Sequence, residues 1–211
     1  TLGVMCADSF NLRKQVTEMP INLVNSKKEE LGISTQGLTF LFVGQLVERK
    51  GIKELLAVWK NHIKYHPNDH LIIIGTGVLK EYLITKYGSE NGVHIMGGIS
   101  YDKLPLYYAL SDVFIMPTLE DNWCLVLPEA MACGLPVACS IFNGGTAELI
   151  KEGVNGYSFN PLEEQSILKT LEAFHQHNLQ IMGKHSIEIE SNFTPDKAAQ
   201  RIFNACKSVM Q

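Results

Sequence analysis

The chain has 211 residues, 45% of them hydrophobic, and a formal net charge of −4, so it can bury one substantial core. Because the charge is slightly negative and no basic tract occurs, neither nucleic acid nor an anionic membrane surface is expected as a partner. No apolar run approaches the roughly 20 residues of a membrane span, and no signal-peptide pattern opens the sequence. We therefore expect a cytoplasmic protein.

The first 37 residues do not show a clear strand. We interpret 1–37 as a lead-in or interdomain linker that contains one helix. Ser26 and Glu29 have the spacing of a capping box that opens this helix, and Gly32 closes it.

From residue 38 onward, apolar runs rich in branched residues alternate with segments of helical periodicity. This alternation is typical of successive βα units and a largely parallel sheet. The predicted strands are 38–44, 70–75, 92–96, 112–117, 136–140 and 156–159, and the predicted helices are 52–66, 78–87, 102–111, 125–133 and 147–153. The sequence thus predicts an α/β fold, a Rossmann-like doubly wound parallel sheet of about six strands with helices on both faces.

The end of the chain departs from this alternation. Residues 38–160 make up the predicted Rossmann-like domain, and 161–211 show only helical periodicity, with a last helix that restarts at Pro195. We expect these C-terminal helices to pack on the domain as a helical extension.

In doubly wound sheets the ligand lies outside the carboxyl ends of the strands, so the loops there are the candidates. The segment GQLVERKG (44–51) joins a turn glycine to Arg49 and Lys50 just before a helix. Basic side chains and the unpaired amides of a helix start suit a diphosphate. A solvated basic turn would have the same sequence.

Three further loops contain glycines. GTG (75–77) does not fit a dinucleotide fingerprint, because Lys80 stands where the third glycine belongs. We interpret Gly75 and Gly77 as turn residues, with a position beside a ligand as the alternative. GGISY (97–101) fits either close approach of a ligand or a simple turn. In FNGGTAELI (142–150), Thr146 is either an N-cap or a ligand contact, with Glu148 in the first helical turn.

The segment PTLEDNWCLVLPEAMACGLPV (117–137) carries acids on both sides of an apolar stretch. Glu129 falls in the first turn of the predicted helix and Asp121 in the loop before it. Carboxylates accept hydrogen bonds from hydroxyl groups, so this pair suits the sugar groups on either side of a diphosphate. Simple compensation of the helix dipole by Glu129 stays open as the alternative.

Cysteine and histidine spacings do not indicate a metal site. The five cysteines include no CxxC pair, so neither a disulfide framework nor a zinc ribbon is predicted. His62 and His66 have i,i+4 spacing but no Glu or Cys nearby in sequence, and His175 and His177 point to different faces.

Five segments in order resemble the donor-binding domain of glycosyltransferase family 4: GQLVERKGIKELL, LIIIGTGVLKEYL, GGISYDKLPLYYALSDVFIMPT, DNWCLVLPEAMACGLPVACS and GGTAELIKEGVNGYSF. The resemblance covers about residues 38 to 160. It implies a GT-B enzyme, in which two Rossmann-like domains face each other and the C-terminal one binds a nucleotide-diphosphate sugar.

The resemblance also implies roles for individual residues. Asp121 would bind hydroxyls of the transferred sugar, Glu129 the ribose hydroxyls, and Lys50 the leaving diphosphate, without a metal or other cofactor. Gly98 and Ile99 would lie against the base. The resemblance implies seven further donor-binding positions: Gly44, Gln45, Arg49, Asn122, Trp123, Cys124 and Leu125. The backbone amides around Trp123, Cys124 and Leu125 would contact the sugar and the phosphate.

Three positions depart from the family pattern. Gln45 stands where an arginine is usual, and Asp121 replaces a glutamate with a side chain one methylene shorter. The segment 122–124, Asn-Trp-Cys, replaces Gly-Phe-Gly and is expected to narrow the sugar pocket.

We therefore expect the donor-binding half of a retaining glycosyltransferase that moves a hexose from a UDP- or GDP-linked sugar to a saccharide or lipid-linked acceptor, in polysaccharide or glycoconjugate biosynthesis. The acceptor-binding N-terminal half is expected to be missing, so the fragment alone would be inactive. Contact with the cytoplasmic face of a membrane would require that half. The alternative is a nucleotide-sugar or saccharide binding module without turnover.

Overall fold

The computed structural model describes residues 9–209, and its centre is one sheet of six parallel strands in the order β3-β2-β1-β4-β5-β6. The strands are β1 (Thr39–Val43), β2 (His70–Ile74), β3 (Val93–Gly97), β4 (Val113–Met116), β5 (Val137–Ser140) and β6 (Gly156–Phe159). The chain proceeds from β1 to one edge, returns to pair β4 with β1, and proceeds to the other edge. The order therefore reverses between β1 and β4, and the predicted doubly wound fold and its six strands are confirmed.

Ten α-helices precede, connect or follow the strands in the described range. They are α1 (Phe10–Thr17), α2 (Ile21–Glu30), α3 (Ile52–His62), α4 (Lys80–Tyr87), α5 (Leu104–Leu110), α6 (Val126–Ala132), α7 (Thr146–Leu149), α8 (Glu164–Phe174), α9 (Leu179–Glu190) and α10 (Pro195–Val209). Short 3-10 turns, Glu48–Lys50 and Tyr101–Lys103, precede α3 and α5. The helical C-terminal extension is confirmed. Between residues 9 and 209 the helices are all too short or too polar to cross a bilayer.

The core lies between the sheet and its helices. Every residue of β1, β2, β4 and β5 is buried, because helices cover both faces of these strands. Helix α3 contributes Leu55, Leu56 and Trp59, and the Trp59 ring meets the Phe40 ring edge-on with centroids 5.8 Å apart. Each such buried side chain stabilises the fold by roughly 1.5–3 kcal/mol.

The prediction of one helix that opens at Ser26 is wrong in the number of helices and in the start of the second one. Two helices occupy this segment, and Ser26 lies inside α2, which starts after Pro20. The carbonyl of Pro20 accepts hydrogen bonds from the amides of Leu23 and Val24 at 3.0 and 3.3 Å. Proline fixes its own φ near the helical value and provides this earlier start, so the capping-box spacing is coincidental. Residues 1–8 of the predicted lead-in lie outside the described part.

The predicted end of α2 at Gly32 is confirmed. Gly32 has a left-handed φ of +65°, its amide donates to Glu29 at 3.0 Å, and the amide of Ile33 donates to Lys28 at 2.8 Å. These are the two bonds of a Schellman motif. Helices α1 and α2 contact α5, and α1 also contacts α6.

Two predicted helices end four residues earlier than expected. The segment 52–66 is helical only to His62, and 147–153 only to Leu149. In the second case the buried side chain of Asn155 ends the helix, because its amide donates to the Leu149 carbonyl at 3.0 Å and its oxygen accepts from the Lys151 amide at 2.7 Å. A side chain from the loop directly after α7 thus replaces the next helical turn.

A hydrogen-bond chain through two histidines makes stability depend on pH. The Ser34 amide donates to His70 Nε2 at 2.9 Å, so the proton of His70 is on Nδ1, which lies 3.0 Å from His94 Nε2. Burial lowers the pKa of His94 to about 4, with a further contribution from His70. A histidine whose folded pKa is below its unfolded value stabilises the fold above about pH 6.5 and loses that contribution as pH falls towards 4.

We predict that the melting temperature falls between about pH 6.5 and 4 and that His94→Gln flattens part of this fall. Glutamine keeps an acceptor for His70 but does not titrate. Thermal denaturation of the wild type, His94→Gln and the half-buried control His185→Gln measures the effect. Parallel pH profiles for wild type and His94→Gln would contradict the assignment.

Candidate functional site

The loops after β1 and β4 meet where the strand order reverses. The carbonyl of Arg49 accepts hydrogen bonds from the Leu119 amide at 2.8 Å, the Glu120 amide at 3.3 Å and the Thr118 hydroxyl at 2.9 Å. These bonds hold the turn that carries Lys50 against the loop that carries Asp121. In open α/β sheets this position is where ligands bind.

Gly51 makes this close approach possible. Its φ is +65°, and a Cβ atom at this position would lie 1.8 Å from the Pro117 carbonyl oxygen. Only glycine accepts both the left-handed backbone and the contact. Gly51 is also the N-cap residue of α3, so it sets the direction in which the helix leaves the site.

Lys50 and Asp121 form a largely buried ion pair. Lys50 Nζ lies 2.5 Å from Asp121 Oδ2, and the two side chains are 10% and 13% exposed. Asp121 is also held by backbone bonds to the loop after β5, because its carbonyl accepts from the Gly144 amide at 2.8 Å. An ammonium group has three donors, so Lys50 keeps donors for a further anion while it contacts Asp121.

Glu129 lies in the first turn of α6, as predicted, between two tyrosines. Its Oε1 is 3.3 Å from the hydroxyl of Tyr101, and its Oε2 is 3.4 Å from the hydroxyl of Tyr108. Burial raises the pKa of Glu129, while the two hydroxyl donors act in the opposite direction. Burial also raises the pKa of Tyr108 well above its ordinary value, so Tyr108 remains a donor.

A depression of about 240 Å³ lies at the carboxyl ends of β1, β2 and β3. It is lined by Val43, Gly44, Gln45, Ile74, Gly75, Thr76, Gly98, Ile99 and Leu104. Four predicted donor-binding residues are among these: Gly44, Gln45, Gly98 and Ile99. The structure thus brings the loops after β1 and β3 together, and it adds Thr76 and Leu104, which the motifs did not indicate.

Gly75 has a packing role in this depression. A Cβ atom on Gly75 would lie 1.8 Å from the carbonyl oxygen of Gly44. Gly75, which the sequence indicates as a turn residue, therefore allows the backbones that follow β1 and β2 to lie close together. It also lines the depression.

The segment 122–125 differs from expectation in its amides. The Trp123 amide donates to Asp121 Oδ1 at 3.2 Å, and the Cys124 amide donates to Asn143 Oδ1 at 3.3 Å. The amides predicted to meet sugar and phosphate are therefore already bound to side chains at these two residues. Asn122 and Leu125 are exposed beside them. The sequence does not reveal this arrangement, because Asn143 comes from the loop after β5.

The Trp123 indole packs behind this segment. Its ring centroid lies 5.6 Å from that of Phe193, which precedes α10. Within residues 9–209 no hydrogen-bond partner is found for its buried Nε1. The bulk of Trp123 is therefore directed at the C-terminal extension as well as at the loop.

Thr146 is not an N-cap, contrary to one of the two interpretations. The N-cap residue of α7 is Gly145, and the Thr146 hydroxyl donates to the Ser140 carbonyl at 2.8 Å. The hydroxyl thus binds the end of β5 rather than the helix start. Glu148 lies in the first turn of α7, as predicted.

The expectation that no Glu lies near the histidine pair His62 and His66 is wrong for His66, and the acidic neighbour of His62 is an aspartate. Each has a carboxylate at hydrogen-bond distance, 2.8 Å from His62 Nε2 to Asp69 Oδ2 and 2.5 Å from His66 Nε2 to Glu172 Oε2. Asp69 comes from the turn before β2, and Glu172 lies 106 residues away from His66. Spacing along the sequence does not reveal either contact.

A depression of about 420 Å³ lies away from the strand ends, between α1 and the last two helices. Its buried polar groups are bonded to each other, because the Ser9 hydroxyl donates to Glu190 Oε1 at 2.6 Å. The convergence of charged side chains at the strand ends is therefore the better candidate for a functional site.

The chain is similar to known proteins in sequence and in fold. The family model described as glycosyl transferases group 1 matches residues 24–186. The chain is 33% identical over 157 residues to an uncharacterized glycosyltransferase of Methanocaldococcus jannaschii, covering 71% of this chain and 40% of the relative. It is 28% identical to alpha-monoglucosyldiacylglycerol synthase of Acholeplasma laidlawii, covering 82% of this chain and 43% of the relative.

Among solved structures, the chain is similar to Anabaena HepE in complex with UDP-glucose. The TM-score is 0.75 at 22% identity, covering 90% of this chain and 54% of HepE. At this identity the similarity establishes the fold. The chain spans about two fifths of the length of the two curated relatives.

Proposed function

Because the chain belongs to the glycosyl transferases of group 1, we propose that it is the donor-binding part of an enzyme that transfers a sugar from a nucleoside diphosphate to an acceptor. The observation that carries this proposal is the meeting of Lys50 and Asp121 at the point where the strand order reverses. Glu129, in the helix after β4, and the depression formed by the loops after β1, β2 and β3 also lie at the carboxyl ends of the strands.

Lys50 is proposed to bind the diphosphate. Its ammonium group is 2.5 Å from Asp121 and mostly shielded from water, so its charge acts strongly on a nearby anion. As the bond between the sugar and the diphosphate breaks, negative charge accumulates on the leaving oxygen, and a fixed cation stabilises that state. This supplies the charge neutralisation without a metal ion.

Asp121 and Glu129 are proposed to bind the sugar groups on either side of the diphosphate. Asp121 accepts hydrogen bonds from hydroxyls of the transferred sugar while it orients Lys50. Glu129 accepts from the ribose hydroxyls, with its two oxygens oriented by Tyr101 and Tyr108. Ionised carboxylates are pure acceptors, which suits hydroxyl donors.

The proposed donor is a UDP-linked hexose, and the proposed outcome is retention at the anomeric carbon. HepE, which has a similar fold, was solved in complex with UDP-glucose, and the depression beside Gly98 and Ile99 is placed for the base. One relative is named as a synthase of monoglucosyldiacylglycerol, so a lipid acceptor is proposed beside a saccharide. The acceptor-binding half would come from outside these 211 residues.

Ligand binding tests the proposal on the chain as it stands. UDP, GDP and UDP-glucose should raise the melting temperature in buffer that contains EDTA, because a ligand that binds only the folded state stabilises it in proportion to RT ln(1 + [L]/Kd). AMP and inorganic phosphate serve as controls. If none of UDP, GDP and UDP-glucose raises the melting temperature, the proposed site is wrong.

Turnover separates an enzyme from a binding module. The full-length protein should release UDP or GDP from a nucleotide sugar in the presence of acceptor extracts. Donor binding by a folded full-length protein, without transfer or hydrolysis over a broad acceptor panel, would instead favour the module.

The pH dependence of UDP binding tests the role of Glu129. The pKa of Glu129 is raised by burial and held down by the two tyrosine hydroxyls, so Tyr108→Phe should raise it further. Since the ionised form accepts the ribose hydroxyls, affinity is lost as pH falls through this pKa. We predict that Tyr108→Phe moves the acid limb of the affinity profile to higher pH.

Calorimetric titration of UDP across the acidic range measures this shift. Tyr107→Phe is the matched control, because Tyr107 is the neighbouring buried tyrosine, and its profile should equal that of the wild type. A Tyr108→Phe profile that coincides with the control would contradict the assignment of Glu129.

A further inference from the structure

A cluster of two histidines and an aspartate lies at the amino ends of the strands, whereas the proposed donor site lies at their carboxyl ends. His62 is the last residue of α3, Asp69 immediately precedes β2, and His175 caps the end of α8. Asp69 Oδ2 lies 2.8 Å from Nε2 of both histidines. One atom from each residue therefore converges, and all three atoms lie within 4.8 Å of one another.

The cluster is buried and preorganised. The side chains of His62 and Asp69 are 2% and 1% exposed, and that of His175 is 21% exposed. The second oxygen of Asp69, Oδ1, accepts from the Leu38 amide at 2.8 Å, which aims Oδ2 at the histidines. Outer-shell bonds of this kind orient metal-binding carboxylates.

A fourth side chain, His66, holds the two imidazoles in place. Its ring stacks on that of His175 with centroids 3.9 Å apart and on that of His62 at 4.8 Å. Its Nε2 lies 2.5 Å from Glu172 Oε2, so it is already bound. A depression of about 250 Å³, lined in part by His62, His66 and Glu172, adjoins the cluster and provides access from solvent.

We propose that His62, Asp69 and His175 bind one zinc ion, with the fourth position open to this depression. Two imidazoles and a carboxylate are ligands that zinc prefers. Bonds of about 2.0–2.1 Å at 90–109° separate neighbouring ligand atoms by about 2.9–3.4 Å. The two separations of 2.8 Å between Asp69 and the histidines are close to this range, and the two Nε2 atoms, which lie within 4.8 Å of each other, would reach it by rotation of the imidazoles.

Binding would exchange the hydrogen bonds for metal bonds. A histidine binds zinc as the neutral imidazole, here with Nε2 on the ion and the proton on Nδ1, and Asp69 binds it as the carboxylate, so the occupied site carries a charge of about +1. The ion would tie α3 to α8 through the turn before β2. This site is independent of the proposed donor site, for which no metal is proposed.

Zinc titration of the whole chain, after treatment with EDTA and its removal, tests the proposal. We expect one zinc per chain by calorimetry, a higher melting temperature that EDTA reverses, and visible d–d absorption when cobalt(II) replaces zinc. His175→Gln should weaken zinc binding at least about 100-fold, since it removes one ligand. This residue is chosen because it is the most exposed of the three.

His177→Gln is the matched control, because His177 lies two residues further on and contacts the hydroxyl of Tyr157 at 2.6 Å. It should bind zinc like the wild type. The zinc affinity itself is the readout, so a general loss of stability in His175→Gln does not imitate the result. No stoichiometric binding by the wild type, or equal affinities in the wild type and His175→Gln, would overturn the proposal.

Discussion

Replacing Lys50 with alanine is expected to weaken UDP binding by about 100-fold and to lower turnover of the full-length enzyme by about 10²–10³-fold. Truncating one member of a buried, hydrogen-bonded charge pair costs about 2–5 kcal/mol, and about 1.4 kcal/mol corresponds to tenfold in affinity. The lost binding energy comes from the contact with the diphosphate, because Lys50 is the largely buried cation beside Asp121. Calorimetry with UDP and with uridine measures it, and uridine affinity should change little.

The Lys50→Ala variant also leaves the Asp121 carboxylate, 13% exposed, without its cation. This should reduce stability, because an uncompensated buried charge is costly. The double variant Lys50→Ala/Asp121→Asn is expected to recover stability but not UDP affinity. Lys53→Ala, which disrupts an exposed pair with Glu48 at 2.9 Å, is the control and should bind UDP normally. Full UDP affinity in the double variant would refute the role of Lys50.

Replacing Gly51 with alanine is expected to destabilise the fold by about 3–5 kcal/mol. A non-glycine residue in the left-handed region costs about 1–3 kcal/mol, and here the new Cβ would lie 1.8 Å from the Pro117 oxygen. Relief of this contact must move either the turn that carries Lys50 or the loop that carries Asp121. Chemical denaturation measures the change in unfolding free energy, and UDP affinity should fall with it.

Gly32→Ala is the matched control for Gly51→Ala. Gly32 has the same φ of +65°, but a Cβ there would meet nothing within 4 Å. It should therefore cost only the backbone conformation, about 1–3 kcal/mol, with UDP binding unchanged. Equal destabilisation by the two substitutions would show that the contact with Pro117 contributes nothing.

Most of the sheet was predictable because its strands are buried on both faces. A strand such as β2, with the sequence His-Leu-Ile-Ile-Ile and every residue buried, is a short apolar run between turn residues and is recognised from composition alone. The position of the reversal between β1 and β4 was not predictable, because the right-handed rule fixes the hand of each βα unit but not the direction in which the next strand is added. Helix ends were less predictable, because α7 is terminated by side-chain hydrogen bonds of Asn155 in the following loop, which helical periodicity does not show.

The location of the candidate site in the loops at the carboxyl ends of the strands was predictable from the sequence. Lys50 and Asp121 each follow a strand, and the strands that they follow are neighbours in the sheet. Their direct contact and the use of the Cys124 amide by Asn143 were not predictable, because these depend on side-chain geometry between loops. Tyr108 was also missed as a partner of Glu129, since a buried tyrosine on a helix has the same sequence signature as a core residue.

The histidine cluster shows the same limit of sequence reasoning. His62 and His66 were visible as an i,i+4 pair, but their acidic partners are brought in by a turn and by α8. His175 meets Asp69 across 106 residues, and such contacts are fixed only when the helices pack on the sheet.

A crystal structure of the chain with UDP tests the proposed function most directly. We predict the diphosphate within hydrogen-bond distance, about 3 Å, of Lys50 Nζ, the ribose hydroxyls on Glu129, and the base in the depression beside Gly98 and Ile99. UDP bound elsewhere, or bound at this edge without contact to Lys50 and Glu129, would contradict the proposal.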